Sequence, residues 1–198
     1  MEISADLVKE LRSKTGAGIM DCKAALKETQ GDLAKAVDWL RMKGLKTAEK
    51  RIGKSAKEGL VDSYIHPGGR IGVLLELNCE TDFVARTPRF QELQKDLMLQ
   101  VAASSPRYVN KEDVPADVLG KEREILRAQV AESGKPAAII EKIVEGRLEK
   151  FYEEWCLLEQ LFVKDQNTKI KDVVKQAIAQ LGENIAVRRF TRYQLGQE

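Results

Sequence analysis

The stretch from Asn78 to Pro88 constrains the fold more than any other part of the chain, because it carries two helix-start signals directly behind a strand-like run, Ile71–Leu77. Thr81 is a good N-cap type, and Thr87-Pro88 repeats the signal with proline at a first helical position. Proline inside a helix removes a donor and clashes with the preceding turn, so a helix begun at Asp82 cannot run through Pro88. The chain must therefore make a strand, one separate helical turn over Thr81–Arg86, and a new helix from Thr87. The Thr81 hydroxyl is expected to accept from N–H groups of that turn, and Asp82 sits where a helix dipole favours a carboxylate. Local sequence leaves Phe83 open between two placements. It points outward from the turn, or it is an ordinary core residue, as most phenylalanines are.

The rest of the chain predicts helices on one side of this stretch and a mixture on the other. Ile3, Leu7, Val8 and Leu11 share a helical face behind Ser4, an N-cap type, and Thr15-Gly16-Ala17-Gly18 ends that helix. Ile19, Cys22, Ala25 and Leu26 mark a second helix closed by Gly31. Asp32 caps a third, with Ala36, Val37 and Leu40 on its apolar face and its end near Gly44. This spacing resembles the ubiquitin-associated type of three-helix domain, usually a docking module. Leu45–Gly59 is rich in Lys and Arg (Lys46, Lys50, Arg51, Lys54, Lys57) and reads as a partly helical linker. Leu60–Ile65 and Ile71–Leu77 flank Pro67-Gly68-Gly69-Arg70, a hairpin signal. Helices are expected around Phe90–Val101, after Pro115, and over Ile139–Trp155, the last two forming an antiparallel hairpin that turns at Ser133-Gly134-Lys135-Pro136. A strand over Leu157–Val163, a helix carrying Val173, Val174, Ile178 and Leu181, and a strand near Ile185–Tyr193 complete the pattern. The fold class is α+β: a three-helix domain at 1–45, a basic linker at 46–59, and a core at 60–198 with helices packed on an antiparallel sheet.

Composition weighs against several functions. A net charge of +2 gives no bulk electrostatic attraction to nucleic acid, and aromatic residues are too sparse for a base-stacking surface. No apolar run approaches the ~20 residues needed to span a bilayer. The N-terminus starts acidic, without the basic-then-apolar order of a signal peptide, so a cytoplasmic location is expected. Cys22, Cys79 and Cys156 are far apart and lack ligand neighbours, arguing against a disulfide framework or zinc site. His66 is the only histidine and lies in the hairpin turn, which leaves no nucleophile system. Gly16-Ala17-Gly18 lacks the downstream glycine, lysine and hydroxyl of a phosphate loop. Nothing in the chain reads as an enzyme, and no cofactor is expected.

Three blocks carry a family resemblance. Thr15-Gly16-Ala17-Gly18-Ile19-Met20-Asp21-Cys22-Lys23-Ala24-Ala25-Leu26 resembles the N-terminal signature of the translation elongation factor Ts family, short type. Asn78-Cys79-Glu80-Thr81-Asp82-Phe83-Val84-Ala85 resembles its second signature, and Gly182-Glu183-Asn184-Ile185 with Val187-Arg188-Arg189-Phe190 is similar to its close. The resemblance implies a guanine-nucleotide exchange factor that binds the GDP form of elongation factor Tu, ejects GDP and lets GTP load. It also allows the factor to stay on the complex with aminoacyl-tRNA and GTP until hydrolysis on the ribosome. By matching motif, Leu11, Arg12, Gly16, Ala17, Gly18, Ile19, Met20, Asp21 and Asn78 would contact the GTPase. Thr81, Asp82, Phe83 and Val84 would disturb its magnesium site, with Phe83 as an exposed wedge between helices. Short members are expected to be homodimers. Where some carry a cysteine near the end this chain has Thr191, so its dimer would be noncovalent. Two other readings compete: a passive docking protein, and an RNA-binding translation protein using Lys46–Lys57, against which the near-neutral charge weighs.

Overall fold

A computed structural model describes residues 3–131 and 136–197. In chain order the helices are α1 (Ala5–Thr15), α2 (Ile19–Glu28), α3 (Leu33–Arg51), α4 (Asp82–Ala85), α5 (Pro88–Ser104), α6 (Ala116–Ala131), α7 (Ala137–Trp155) and α8 (Ile170–Leu181). The strands are β1 (Glu58–Ile65), β2 (Ile71–Cys79), β3 (Leu161–Phe162), β4 (Asp165–Lys169) and β5 (Ile185–Gln194). The architecture is mixed α+β. The chain forms two compact units, the first from Met1–Leu60, Asn78–Leu93 and Val174–Ala186, the second from Val61–Leu77, Gln94–Val173 and Val187–Glu198.

In the first unit α1, α2 and α3 close around Leu11, Cys22, Ala25, Leu26, Ala36 and Leu40, with Ile3, Leu7, Val8 and Val37 packed at the margin. The caps are those the sequence predicts. Ser4 accepts from the Leu7 N–H, Asp32 accepts from the Lys35 N–H, and Gly16 closes α1 in the left-handed region at φ 67°. The third helix does not stop near Gly44 but runs to Arg51. Gly44 serves packing instead: a Cβ there would lie 2.9 Å from the Cβ of Ala179 on α8. The missing side chain lets two helices approach closely, which is why glycine stands inside a helix it would otherwise weaken.

β1, β2 and β5, most of whose residues lie in the second unit, form a three-stranded sheet in the order β1-β2-β5. The β1–β2 hairpin is closed by the His66 N–H donating to the Ile71 carbonyl. Val73, Leu75 and Leu77 of β2 are buried, while the alternate residue Leu74 is exposed. Arg192 of β5 donates through two guanidinium nitrogens to the Ala102 carbonyl of α5, both at 3.2 Å. α6 packs on α7 through Leu126, Val144 and Leu148. The turn expected at Ser133–Lys135 lies outside the described residues.

Leu157–Val163 is not one strand. It is a 3-10 turn, Leu157–Glu159, followed by the two-residue β3. The reason lies in its backbone partners: the N–H groups of Leu157 and Leu158 donate to the carbonyls of Tyr108 and Val109, leaving a bend rather than an extended run. β4 was not visible in the sequence because Asp165–Lys169 carries no apolar alternation; β3 pairs with it antiparallel, Leu161 opposite Lys169.

Candidate functional site

Two exposed turns of the first unit carry the residues singled out by the sequence. The first joins α1 to α2. Leu11 is 0% exposed and sits in the three-helix core beneath this turn, while Arg12 beside it faces solvent and gives its carbonyl to the Gly16 N–H at 2.8 Å. The Thr15 hydroxyl donates to the Leu11 carbonyl and accepts from the Ala17 N–H, so the turn is braced from inside. Gly18 precedes the first residue of α2, which leaves Ile19 and Met20 on an uncovered end of the helix at 55% and 77% exposure. Asp21 is drawn sideways into a 2.8 Å pair with Lys43 of α3. Two large apolar side chains therefore stand in water side by side at the start of α2.

The second turn follows β2. Phe83, on the single-turn α4, is 77% exposed, which decides the question its local sequence left open. The short helix turns its other side inward: Ala85 is buried and Val84 half-buried. Asp82 accepts from Arg86 at 2.7 Å across one turn of helix. Such exposed pairs contribute only about 0.3–0.5 kcal/mol, so Asp82 could change partners at little cost. The Asn78 side-chain amide donates to the Glu58 carbonyl at 3.1 Å.

Thr81 departs from expectation. It stands at the N-cap position, yet its side chain makes no capping bond. Its hydroxyl donates to Glu183 Oε1 at 2.6 Å and its N–H to Glu183 Oε2 at 2.9 Å. Donating to a carboxylate is worth roughly twice a neutral capping bond, so the side chain is oriented by Glu183 and not by the N–H groups of its own turn. Beside it the Glu80 carboxylate accepts from the Asn184 N–H at 2.7 Å and from Arg51 at 3.1 Å. The Cys79 thiol donates to the Thr81 carbonyl at 3.0 Å; burial first, then the nearby Glu183 charge, push its pKa from the usual 9.0 to about 11. It is a buried thiol under the turn, not a nucleophile. Sequence reasoning gave no role to Arg51, Glu80, Gln180, Glu183 or Asn184. Glu183 and Asn184 were visible as a motif, but their partners lie more than a hundred residues away.

The site contains neither a catalytic constellation nor a ligand set. Among the described residues no group of three or more His, Cys, Asp or Glu side chains is placed to hold a metal ion. What the arrangement offers is shape: an apolar knob on a braced turn, and a second apolar patch on another.

Comparison with known proteins shows the family. The family described as elongation factor TS matches residues 44–197. The chain is 61% identical over 197 residues to the elongation factor Ts of Fervidobacterium nodosum, covering 100% of both chains. The chain belongs to the elongation factor Ts family. It is also 58% identical to the elongation factor Ts of Thermotoga neapolitana over 198 residues, with 100% of each covered. With that of Moorella thermoacetica it shares 60% over 195 residues, 98% of this chain and 96% of the relative. The function follows the family: guanine-nucleotide exchange on elongation factor Tu in translation elongation, by a binding protein that is not an enzyme.

Proposed function

We propose that exchange is driven by the α4 turn, with Phe83 as an apolar wedge inserted between helices of the GTPase and Asp82 engaging one of them. Thr81 and Val84 seat the wedge. The observation that carries this reading is the exposure of Phe83 at 77% on a turn whose base is tied down. Magnesium bridges the nucleotide phosphates and the GTPase, so a wedge that moves its ligands weakens GDP without any chemistry of its own. The coupling is reciprocal: the factor lost from GDP affinity is lost equally from exchanger affinity when GDP is present. Shifting such an equilibrium by ~10⁴-fold takes ~5.5 kcal/mol of differential binding, whereas burying one Phe supplies about 1.5–3 kcal/mol.

The remainder must come from docking. We assign it to the α1–α2 turn, with Arg12, Gly16, Ala17, Gly18, Ile19, Met20 and Asp21 at the contact, Leu11 as the buried support beneath them, and Asn78 flanking α4. In this reading residues 1–45 act as a docking module of the ubiquitin-associated type, 46–59 as a linker, and 60–198 as a core with an α6–α7 hairpin. The core would also dimerise. The sheet carries uncovered apolar residues on all three strands, Val61 and Ile65, Leu74, and Tyr193, which a second copy of this chain would bury. Thr191 is exposed on the same terminal strand, so that contact would be noncovalent. No described helix is long and apolar enough to cross a membrane. The cytoplasm, where elongation runs, is the proposed location, with no direct nucleic-acid contact and with the factor retained on the loaded GTPase through delivery.

Release of a fluorescent GDP from elongation factor Tu, with catalytic amounts of the protein and saturating magnesium, tests the mechanism. Phe83→Ala is expected to remove most of the acceleration. Acceleration that survives the substitution would sink the wedge assignment, and tight binding without acceleration would leave a passive docking protein.

A further inference from the structure

We propose that Gln180, Glu183 and Asn184, at the C-terminal end of α8, are positioning residues for exchange. They hold the docking turn and the Phe83 turn at one fixed spacing. This rests on the reading that both turns meet the same GTPase.

Three tethers converge on this short stretch, all inside the first unit. The Gln180 amide donates to the Thr15 carbonyl in the α1–α2 turn at 3.4 Å and accepts from Arg89, in the first turn of α5, at 2.8 Å. Glu183 grips Thr81 with both carboxylate oxygens. Asn184, 6% exposed, donates its N–H to Glu80 and its side-chain amide to the Lys54 carbonyl at 2.6 Å, while Arg51 at the end of α3 pairs with the same Glu80. Gly182, at φ 75°, breaks α8 so that Glu183 and Asn184 leave the helix axis. α8 thus ties the docking turn, the end of α3 and the base of α4 together.

A wedge transmits strain only if its mount is stiffer than what it pries apart. α4 has a single turn and no side-chain N-cap of its own; the Thr87 hydroxyl donates to the Val84 carbonyl at its far end, and at its start Glu183 holds Thr81 through both carboxylate oxygens. Without that grip, contact with the GTPase would rotate the turn instead of displacing the partner's helices. Docking energy would still be realised, but less of it would reach the magnesium site. Displacements of an ångström at a working group cost rates far more than they cost binding.

The test separates those two quantities. GDP release is followed at increasing concentrations of wild type, Phe83→Ala, Glu183→Ala, Glu183→Gln and Gln180→Ala, giving for each a plateau rate and a half-saturating concentration. Glu183→Ala is expected to lower the plateau ~10-fold with little change in half-saturation, in proportion to loss of a charge-assisted bidentate contact. Glu183→Gln, which keeps one acceptor oxygen, is expected to fall between it and wild type. Hydrogen exchange should show the Thr81 amide deprotected while α1–α3 keep their protection. A wild-type plateau in folded Glu183→Ala overturns the proposal, as does a plateau loss matched by general loss of protection. If Glu183→Ala does not fold, Glu183→Gln and Gln180→Ala carry the same test, and wild-type plateaus in both overturn it. A Phe83→Ala plateau equal to wild type instead removes the wedge reading beneath. A loss with Phe83→Ala and none at Glu183 removes this inference alone.

Discussion

Phe83 and Phe90 are the same residue type on neighbouring helices, yet one is 77% exposed and the other 0%. Their substitutions should part accordingly. Phe83→Ala is expected to stay within ~0.5 kcal/mol of wild-type stability, as for exposed sites, while Phe90→Ala costs ~3–5 kcal/mol, the usual price of emptying a core aromatic. Urea unfolding of the two variants checks this, and a large loss for Phe83→Ala would mean that Phe83 holds the fold together. Cys79 makes a prediction of a different kind. Its thiol, like that of Cys156, is raised from the usual 9.0 to about 11 by burial above all. Between those pH values the unfolded chain has released protons that the folded chain still holds. Stability contributed by these thiols is therefore intact below pH 9 and lost as pH rises towards 11. Thermal unfolding from pH 8 to 11 should show the decline, and Cys79→Ala should make it shallower. None of this is written in the local sequence: Cys79 and Phe83 differ in burial because the chain turns between them, not because of their own chemistry.

At the scale of elements, the caps were legible and the packing was not. Ser4, Asp32 and Thr87 act within three residues of themselves, so their bonds follow from neighbours in sequence. Thr81 looks the same in sequence but turns its hydroxyl to donate to Glu183, because a carboxylate brought in after α8 orients the side chain away from its own turn. Gly44 misled in the same way. Read locally it ends a helix; in the structure α3 passes straight through it with Ala179 against it. Gly44→Ala should improve intrinsic helix propensity by ~1 kcal/mol. The new Cβ would meet a side chain at 2.9 Å, so the expected net effect is a destabilisation of ~1–3 kcal/mol through α3–α8 overpacking. Thermal melting decides the sign, and a raised midpoint would show that α8 yields freely.

At the scale of the molecule, each unit is built from segments distant in the chain, the first gathering its pieces from the N-terminus, the middle and the neighbourhood of α8. The uncovered sheet residues of the second unit belong to this scale, since under the proposed dimer a second copy of the chain buries them. Leu74→Asp is expected to shift sedimentation from dimer to monomer without loss of helical signal; an unchanged dimer would place the contact elsewhere. By itself the sequence determined the helix starts, the hairpin, the break at Pro88 and, through its signatures, the family, because these depend on neighbours within a turn or on motifs read as text. Only the tertiary structure decided that Phe83 stands in solvent, that Glu183 holds Thr81, and that the α1–α2 turn and the α4 turn share α8 as a support. Those outcomes depend on which distant groups arrive nearest, and a bond between residues 81 and 183 exists only once the chain has folded.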